Sequence, residues 1–422
     1  MEQIKKLLYF YVASYFRFFA KIRLDRWKPQ IIVVTGSNGK TTLLHMLESQ
    51  IGDKARFSHH ANSAFGICFD ILDLHRKTLS TNEWITLFLT APRNVFKPLP
   101  KEKIYVVEAD ADRPFEGVFL ATLLQPDVVL WVSTGRTHSM NFDHLVEEKE
   151  FETVEEAIAY EYGYFLKHCR KLAVIDGDSK LESAQTFRST AKIVSVKRKE
   201  HLKKYSVEKK GTNFTFNDFQ VSFNGLLPEE IYLSIAMCKE TMDYLQLDFD
   251  RKFTHFVLPP GRGTLVKGIK DTTLIDSTYN GNLGSMKAML AMFDKFPAKK
   301  KWLVLGDMKE LGKEEKEEHE QLAEIINRMD VERVVLIGKA VGRYTLPLIS
   351  QKIHAPGFES APQALSYLQE HIKGEEAILF KGSASIYLEG LVERLLKNKD
   401  DSNNLPRQES FWKQKRKRLG FN

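Results

Sequence analysis

Residues suited to phosphate chemistry stand close together in the stretch VVTGSNGKTTLLHML, residues 33–47. An apolar run leads into a small polar loop that contains Gly36 and Gly39, and a helical pattern follows it. Such a loop turns backbone N–H groups inward at the positive end of a helix, which makes a cradle for phosphate. Lys40 can neutralise the terminal phosphates, and the Thr41 hydroxyl can bind Mg²⁺. The stretch therefore predicts that the chain binds ATP together with Mg²⁺.

The predicted nucleotide loop departs from the strict pattern GxxxxGK[ST], because Val34 stands at the first glycine position. The compact pattern TGxxGKT is present instead. A simple glycine turn with an exposed lysine is the alternative, but it does not explain Gly-Lys-Thr directly after an apolar run. The residues predicted to contact the nucleotide here are Gly36, Ser37, Asn38, Gly39, Lys40, Thr41 and Thr42.

A metal held at Thr41 needs a second ligand, which is usually an acid at the end of another strand. Glu108 follows the apolar run IYVV and is predicted to take that role, whereas Asp110 and Asp112 are predicted to be solvated loop acids. His138 follows a strand-like run and a polar loop in VSTGRTHSMNF. A single loop histidine is more often a surface or capping residue than a ligand. By position alone, Glu108 is therefore the stronger metal candidate.

The elements that must position these residues alternate between short β-branched runs and helical stretches from residue 31 onward. This alternation indicates an α/β fold with a largely parallel sheet. After residue 204 an alternating, turn-rich segment predicts a small antiparallel hairpin set, and a helical stretch follows at residues 229–245. The segment LPPGRGT, residues 258–264, predicts a domain boundary. Beyond it, TTLIDS, KWLVLGD, ERVVLIG and EAILFKGS predict the strands of a second α/β domain.

Length and composition indicate a globular chain with more than one domain. The chain has 422 residues, of which 43% are apolar, enough for two or three hydrophobic cores. The net charge of +7 describes the two basic ends more than the whole surface. Cys68, Cys169 and Cys238 lie far apart, which argues against a disulfide framework or a zinc site and favours a reducing, cytoplasmic setting.

The two ends of the chain differ from the rest. The first 28 residues are rich in aromatic side chains, but their apolar run is shorter than the ~20 residues of a membrane-spanning helix and lacks a signal-peptide cleavage site. They predict an amphipathic helix that packs on the first domain, or alternatively one that lies on a membrane surface. The cations that would then face anionic lipid are Lys5, Lys6, Arg17, Lys21 and Arg23. Residues 398–422 are polar and then basic, and predict a solvated, partly disordered tail, with contact to an acidic surface or nucleic acid as the alternative.

These motifs, in this order, resemble the Mur ligase family, the ATP-dependent amide-bond synthetases of peptidoglycan assembly. Within the family they are most similar to the MurF type, which adds D-alanyl-D-alanine. The resemblance covers about residues 28–396: TGSNGKTT resembles the family's TGTNGKTT loop, HANSAFG the asparagine-rich segment after it, and PPGRGT the nucleotide-contacting arginine motif. LIDSTYNGNLGSMKAML and LVLGDMKELG resemble IDDSYNANPxSMxAAL and LGDMxELG, which makes the MurF-like assignment sharper.

The resemblance implies a central P-loop ATPase domain with a parallel sheet and a carboxyl-terminal Rossmann-like α/β domain. The expected segments are an aromatic helix at 1–28, the ATP-binding domain at 29–258, the Rossmann-like domain at 259–397 and a basic tail at 398–422. It also implies that Glu108 and His138 bind magnesium with Thr41. The residues it adds to the nucleotide site are Arg262, Asp276, Asn280 and Asn282. The expected catalytic residues are Lys40, Glu108 and His138.

The sequence also departs from the family pattern. MurF-type ligases begin with a domain for the UDP-sugar end of the substrate, whereas here the phosphate loop arrives by residue 35, which leaves the acceptor open. Tyr162 stands where many members carry a lysine that becomes carbamylated, and Tyr164 replaces the following acid. The segment GLLPEEI lacks the asparagines of GxHNxxN, Ser277 replaces an acid, and Ala384 replaces an arginine.

The resulting hypothesis is an ATP-dependent ligase that phosphorylates a carboxylate and joins the acyl phosphate to an amine, in cell-wall precursor or related peptide assembly. Its expected partners are a small-molecule or peptidyl carboxylate and an amino acid or dipeptide amine, without nucleic acid, with membrane contact through the first helix as a further expectation. The alternative is a non-ligating ATP-binding homologue that acts with a partner protein or at a membrane surface, which the changes at Tyr162 and Ala384 motivate. A bare P-loop ATPase or kinase is disfavoured, because neither requires STYNGNLGSM in a second domain.

Overall fold

The computed structural model describes residues 2–59, 61–76 and 81–421, with residues 2–8 and 81 described by their backbone alone. The chain forms two compact units. The first comprises Met1–Gly135, His144–Glu200 and Leu233–Phe256, and the second comprises Arg136–Asp143, His201–Tyr232 and Val257–Asn422. These units do not follow a linear division at residue 258, because the segment from His201 to Tyr232 belongs to the second unit.

The first unit is built on a parallel sheet with strand order β2-β3-β1-β4-β5-β6. Its strands are β1 Gln30–Thr35, β2 Ala55–Ser58, β3 Ile104–Glu108, β4 Val128–Trp131, β5 Leu172–Asp176 and β6 Lys192–Val196. Strands β1, β3 and β4 are almost wholly buried, which explains their continuous apolar runs. Val34 of β1 pairs with Glu108 of β3, so the loop after β1 and Glu108 lie at the same edge of the sheet.

Helices precede β1, connect the strands of this sheet and follow β6. They are α1 Glu2–Trp27, α2 Lys40–Ile51, α3 Ala64–Leu72, α4 Thr81–Asn94, α5 Glu116–Leu124, α6 Asp143–Glu147, α7 Val154–Lys167, α8 Lys180–Ser183, α9 Arg198–His201 and α10 Ile231–Leu245. A parallel sheet requires such crossover connections, and the predicted α/β class with a parallel sheet is confirmed.

The aromatic helix α1 packs on the first unit. Phe16 is fully buried against Phe69 of α3 and Phe88 of α4, and the Tyr15 hydroxyl donates to the carbonyl oxygen of Phe88 at 2.8 Å. Phe18 points away from this contact and is 62% exposed. The side chains of Lys5 and Lys6, which the sequence assigned to a lipid-facing set, lie outside the described residues. Within the described ranges, no helix is long and apolar enough to cross a membrane.

The second unit contains two sheets. Strands β7 Leu202–Glu208, β8 Gly211–Phe216 and β9 Gln220–Phe223 form the predicted antiparallel set. A larger sheet has the order β10-β11-β15-β12-β13-β14, in which only the pairing of β10 with β11 is antiparallel. Its strands are β10 Thr264–Lys267, β11 Thr273–Ser277, β12 Lys301–Gly306, β13 Arg333–Ile337, β14 Gly357–Phe358 and β15 Ala377–Lys381.

Both faces of the larger sheet are covered. Along β12, Leu303 and Leu305 face one hydrophobic core, whereas Trp302 and Val304 face the other, as the alternation of a strand requires. The helices are α11 Leu283–Asp294, α12 Glu315–Asn327, α13 Ala361–His371, α14 Glu389–Leu395 and α15 Ser410–Arg418, with a π-helical turn at Val341–Thr345. This is a doubly covered α/β sheet of the kind expected for a Rossmann-like domain.

The basic tail differs from the solvated, partly disordered segment that its composition predicts. Helix α15 packs on the second unit through Arg416, which is buried and reaches Glu389 at 3.3 Å and Glu393 at 3.1 Å. The Phe421 ring is buried next to Gly390, in the hydrophobic core that contains Val392 and Leu395 of α14. The tail is ordered because these contacts are made with residues of α14, which its own composition does not reveal.

Candidate active site

The phosphate loop connects β1 to α2 and depends on two glycines. Gly36 has φ +124° and Gly39 has φ +86°, values that side chains disfavour. A Cβ atom on Gly36 would lie 2.6 Å from the carbonyl oxygen of Ser133, so the loop approaches the chain after β4 too closely for any other residue. Both glycines are therefore required where the loop packs against the chain after β4.

Ser133 fixes the path of this loop. Its carbonyl oxygen accepts from the Ser37 N–H at 2.9 Å, and its hydroxyl oxygen accepts from the Asn38 N–H at 2.8 Å. Both loop N–H groups are thus used within the protein. The N–H groups of the first turn of α2 have no intrahelical acceptor, and Gly39 offers no side chain to cap them. These groups, beginning at Lys40, are the ones that a phosphate can approach.

Lys40 lies buried beneath the loop, and its ammonium is paired with an acid. Its Nζ lies 2.7 Å from Asp110 Oδ2 and contacts the Gly36 carbonyl oxygen. Burial by itself lowers the pKa of Lys40, but the carboxylates of Asp110 and Glu108 outweigh it and hold the pKa above its ordinary value. The lysine is therefore a permanent cation at the site.

Asp110 is not the solvated loop acid that the sequence predicts. It is only 5% exposed, and its N–H donates to the Asn62 carbonyl oxygen at 2.8 Å, which turns the residue inward after β3. The burial is stable because Lys40 compensates the charge. The sequence does not predict this role for Asp110, because the pairing depends on the path of the chain after β3.

Tyr162 of α7 completes the buried network. Its hydroxyl donates to Asp110 Oδ1 at 2.8 Å, and its ring packs edge-on against Trp131. Burial and then the Asp110 carboxylate raise the pKa of Tyr162 well above its ordinary value, so the phenol stays a neutral donor. Tyr162, which stands where the family resemblance predicts a lysine, therefore hydrogen-bonds Asp110, and Asp110 in turn forms the ion pair with Lys40.

Thr41 and Glu108 meet as the sequence predicts for two metal ligands. The Thr41 hydroxyl donates to Glu108 Oε2 at 3.0 Å. Octahedral Mg²⁺ with oxygen ligands at 2.0–2.1 Å spaces neighbouring oxygens about 2.9 Å apart. The donor set, a hydroxyl and a carboxylate of suitable separation, fits this cation.

His138 belongs to the second compact unit, whereas Thr41 and Glu108 belong to the first. Its Nδ1 lies 2.6 Å from Glu310 Oε2. The residue has φ +54° and precedes the short 3₁₀ turn Ser139–Asn141. Its role as a metal ligand stays a prediction.

The other predicted nucleotide residues gather at the ends of β10 and β11 in the second unit. The Arg262 guanidinium lies 4.3 Å from the centre of the Tyr279 ring. Asp276 Oδ1 accepts from the Thr278 hydroxyl at 2.6 Å, whereas Asp276 Oδ2 is buried without a hydrogen-bond partner among the residues that the structure describes. Burial raises the pKa of Asp276 to about 6. The unoccupied Oδ2 is suited to accept from a hydroxyl of a bound ligand.

Asn280 and Asn282 shape the loop between β11 and α11. Asn282 is the N-cap of α11, with its side chain and that of Ser285 bonded to each other's backbone N–H groups. The side-chain oxygen of Asn280 accepts from the Gly281 N–H at 2.8 Å. These contacts explain why asparagines fit here whether or not they also meet a nucleotide.

Lys381 lies in the same region and is not among the residues that the sequence predicts for the site. It ends β15, opposite Ser277 of β11, and its Nζ donates to the Asn280 carbonyl oxygen at 3.0 Å. Burial, together with the charge of Arg262, lowers the pKa of Lys381 to about 7. The sequence feature that could have indicated Lys381 is its position at the end of an apolar run, directly before Gly-Ser.

Comparison with known families matches both units of the chain. Residues 34–229 match the Mur ligase middle domain, and residues 261–384 match the Mur ligase glutamate ligase domain. The chain belongs to the Mur ligase family. The two matched segments contain the phosphate loop, Glu108, Arg262 and Lys381.

Similar curated proteins carry the name UDP-N-acetylmuramoyl-tripeptide--D-alanyl-D-alanine ligase. The Bacillus subtilis protein is 24% identical over 391 residues, which cover 90% of this Mur ligase homologue and 78% of the relative. The Rickettsia prowazekii protein is 25% identical over 394 residues, which cover 89% and 80%. This Mur ligase homologue is thus MurF-like along most of its length.

Solved structures show the same fold. The MurF ligase from Thermotoga maritima, in complex with ADP, has a TM-score of 0.73 at 23% identity and covers 90% of this chain and 82% of its own. A MurF from Acinetobacter baumannii has a TM-score of 0.71 at 19% identity and covers 90% and 79%. The predicted Mur ligase architecture is therefore confirmed.

Proposed function

We propose that this Mur ligase homologue is an ATP-dependent carboxylate–amine ligase. A carboxylate oxygen of the acceptor attacks the γ-phosphorus of ATP, which gives an acyl phosphate and ADP. The amino group of the second substrate then attacks the acyl carbon, an amide bond forms, and inorganic phosphate and a proton leave. The observation that carries this proposal is the joint presence of Lys40, Thr41 and Glu108 at one phosphate loop in a chain with both family domains.

Lys40, Thr41, Glu108 and the two loop glycines each have a defined role in the proposed reaction. Lys40 supplies a positive charge for the oxygens of the transferring phosphoryl group. Thr41 and Glu108 would hold Mg²⁺, which, when bound, neutralises charge on the phosphate oxygens. Gly36 and Gly39 let the proposed phosphate loop adopt positive φ angles while it packs against the chain after β4.

The family resemblance assigns further nucleotide-binding residues, which lie in the second unit. Arg262 supplies a guanidinium for the nucleotide, and Asp276 an acceptor for a ligand hydroxyl. Asn280 and Asn282 keep the loop before α11 in shape. His138, by family resemblance, assists the metal.

The substrates that we propose are those given in the names of the similar proteins. We infer that the acceptor is a peptidyl carboxylate of the UDP-N-acetylmuramoyl-tripeptide class and that the amine is D-alanyl-D-alanine. The reaction then belongs to cell-wall precursor assembly, and its need for ATP implies a cytoplasmic setting.

The test is a coupled assay on the full chain. ATP, Mg²⁺ and D-alanyl-D-alanine are incubated with UDP-N-acetylmuramoyl-tripeptide or with other peptidyl carboxylates, and both phosphate release and the mass of the product are followed. We expect phosphate release that depends on both substrates and a product heavier by one dipeptide less water. ATP binding without phosphate release for any acceptor would refute ligation and would leave the non-ligating, partner-dependent homologue as the better description.

We further propose that α1 makes peripheral contact with a membrane surface. Tyr11 is 72% exposed and Phe18 is 62% exposed, so both can enter a lipid interface while Phe16 stays in the core. Phe18→Ser should reduce sedimentation with anionic vesicles. Phe187→Ser is the matched control, because Phe187 is an exposed phenylalanine elsewhere in the first unit. Equal sedimentation of the two variants and the unaltered protein would refute membrane contact.

A further inference from the structure

Two histidines and one glutamate converge at the edge of the first unit. His45 and Glu48 lie three residues apart on α2, and His59 directly follows β2. His59 Nε2 lies 3.0 Å from Glu48 Oε1, and His45 Nδ1 lies 3.3 Å from Glu48 Oε2. One ligand atom from each residue can be chosen so that all three lie within 4.8 Å of one another.

The local fold explains why these side chains meet. Residues three apart on a helix share a face, so His45 and Glu48 point in the same direction from α2. Strand β2 pairs with β3 at the edge of the sheet, and its end brings His59 to the same face. The two imidazole rings are stacked with their centres 4.9 Å apart.

The spacing and the atom types suit a particular class of cation. A tetrahedral ion with ligands at 2.0–2.1 Å spaces those ligands about 3.4 Å apart. The two histidine–glutamate separations, 3.0 Å and 3.3 Å, are of this size, and each involves a different oxygen of Glu48. Imidazole nitrogen favours zinc and its first-row neighbours, whereas Mg²⁺ prefers oxygen. The side chains are 28–42% exposed, so an ion has access from solvent and water can complete the coordination.

We propose that His45, Glu48 and His59 form a binding site for a divalent cation of the zinc class. The set of two histidines and one carboxylate is separate in chemistry from the oxygen ligands assigned to Mg²⁺ at Thr41 and Glu108. The site is independent of the proposed ligase reaction, because none of its three residues has a part in that reaction.

The bound cation would act as a clip between α2 and the segment after β2. That segment includes Asn62, whose carbonyl oxygen accepts from the Asp110 N–H at 2.8 Å. Asp110 in turn is paired with Lys40. The clip would therefore steady the backbone next to the buried lysine without contacting substrate.

The test measures metal binding and stability on the full chain after treatment with a chelator. Calorimetry with Zn²⁺ alone should show about one equivalent bound, and Co²⁺ should give the visible absorption of a nitrogen–oxygen site. Zn²⁺ at roughly 100 times its dissociation constant should raise the melting temperature of the first unit by about 5 °C.

Variants assign the signal to the cluster. His45→Ala combined with His59→Ala should remove Zn²⁺ binding, Glu48→Gln should weaken it about 10-fold or more, and His59→Cys should retain it. His75→Ala is the matched control, because His75 forms an exposed pair with Asp73 at 3.4 Å and should leave binding unchanged. Failure of the unaltered protein to bind Zn²⁺, or equal affinity in the double variant, would overturn the proposal. Should the double variant not fold, Glu48→Gln with unchanged affinity would overturn it equally.

Discussion

The Nζ atom of Lys40 lies 2.7 Å from Asp110 Oδ2, and the Tyr162 hydroxyl donates to the other oxygen of the same carboxylate. Three side chains, from α2, the loop after β3 and α7, thus form one buried network beneath the phosphate loop. In the absence of nucleotide, the Lys40 ammonium, which is predicted to bind phosphate, is paired with the Asp110 carboxylate. A bound phosphate must either share the Lys40 ammonium with Asp110 or displace Asp110 from it. The Lys40–Asp110 ion pair therefore contributes to the stability of the nucleotide-free site.

Replacement of Asp110 should expose the cost of leaving Lys40 unpaired. We expect Asp110→Asn to lower the free energy of unfolding of the nucleotide-free protein by about 3 kcal/mol, because a buried cation loses its partner. Saturating ATP with Mg²⁺ should recover part of the loss, since phosphate supplies negative charge. Denaturant titrations with and without nucleotide measure both effects. Asp112→Asn is the control on the neighbouring, less buried acid, and equal stability of the two variants would contradict the assigned pairing.

Tyr162→Phe should remove one hydrogen bond and leave the packing intact. The expected loss is about 1.5–3 kcal/mol in the free energy of unfolding, because the bond is made to a charged acceptor. Tyr164→Phe on the same helix is the control, since the Tyr164 hydroxyl lies 3.5 Å from that of exposed Tyr160 and makes a weak contact. If both variants lose the same small amount, the Tyr162–Asp110 bond does not support the fold.

Lys40→Ala should weaken ATP binding by about 100-fold or more, because a charge-assisted contact to the phosphates is lost. A fluorescent ATP analogue reports the affinity, and Lys54→Ala, an exposed lysine just beyond α2, is the control. Unchanged affinity in Lys40→Ala would refute the assignment of the phosphate loop.

Glu108→Gln tests the metal ligand separately from the nucleotide. We expect the Mg²⁺ concentration needed for tight ATP binding to rise about 10-fold, because a neutral amide is a weaker ligand than a carboxylate. Binding of ADP in the presence of a chelator should change little, which separates this effect from damage to the loop. Titration of Mg²⁺ at fixed ATP measures the shift, and an unaltered Mg²⁺ dependence would exclude Glu108 as a ligand.

Lys381 predicts a pH dependence of stability. Its folded pKa of about 7 lies below the ordinary lysine value, so between the two values the unfolded chain binds more protons and stability rises with pH. Between about pH 7 and pH 9 the rise should amount to about 2 kcal/mol and should be absent in Lys381→Met. Lys397→Met, which removes an exposed pair with Asp271, should keep it. Denaturant titrations at the two pH values measure the difference, and an equal rise in Lys381→Met would refute the depressed pKa.

Features that depend on neighbours along the chain could be predicted from the amino-acid sequence. Gly36, Gly39, Lys40 and Thr41 lie within a few residues, so their spacing alone indicates a phosphate loop between a strand and a helix. The alternation of apolar runs and helical stretches likewise indicates parallel α/β layers, because that connection is sterically required. The family motifs indicated the Mur ligase family and, within it, the MurF type.

Contacts between residues that are distant in sequence could not be predicted, because they depend on how the chain folds. Asp110 and Tyr162 are 52 positions apart, and their bond turns a predicted solvated acid into the partner of Lys40. The pairing of β11 with β15 brings Lys381 to the loop after β11, and burial there lowers its pKa. The charge state and partners of a side chain depend on desolvation and on groups remote in sequence, which local spacing does not encode.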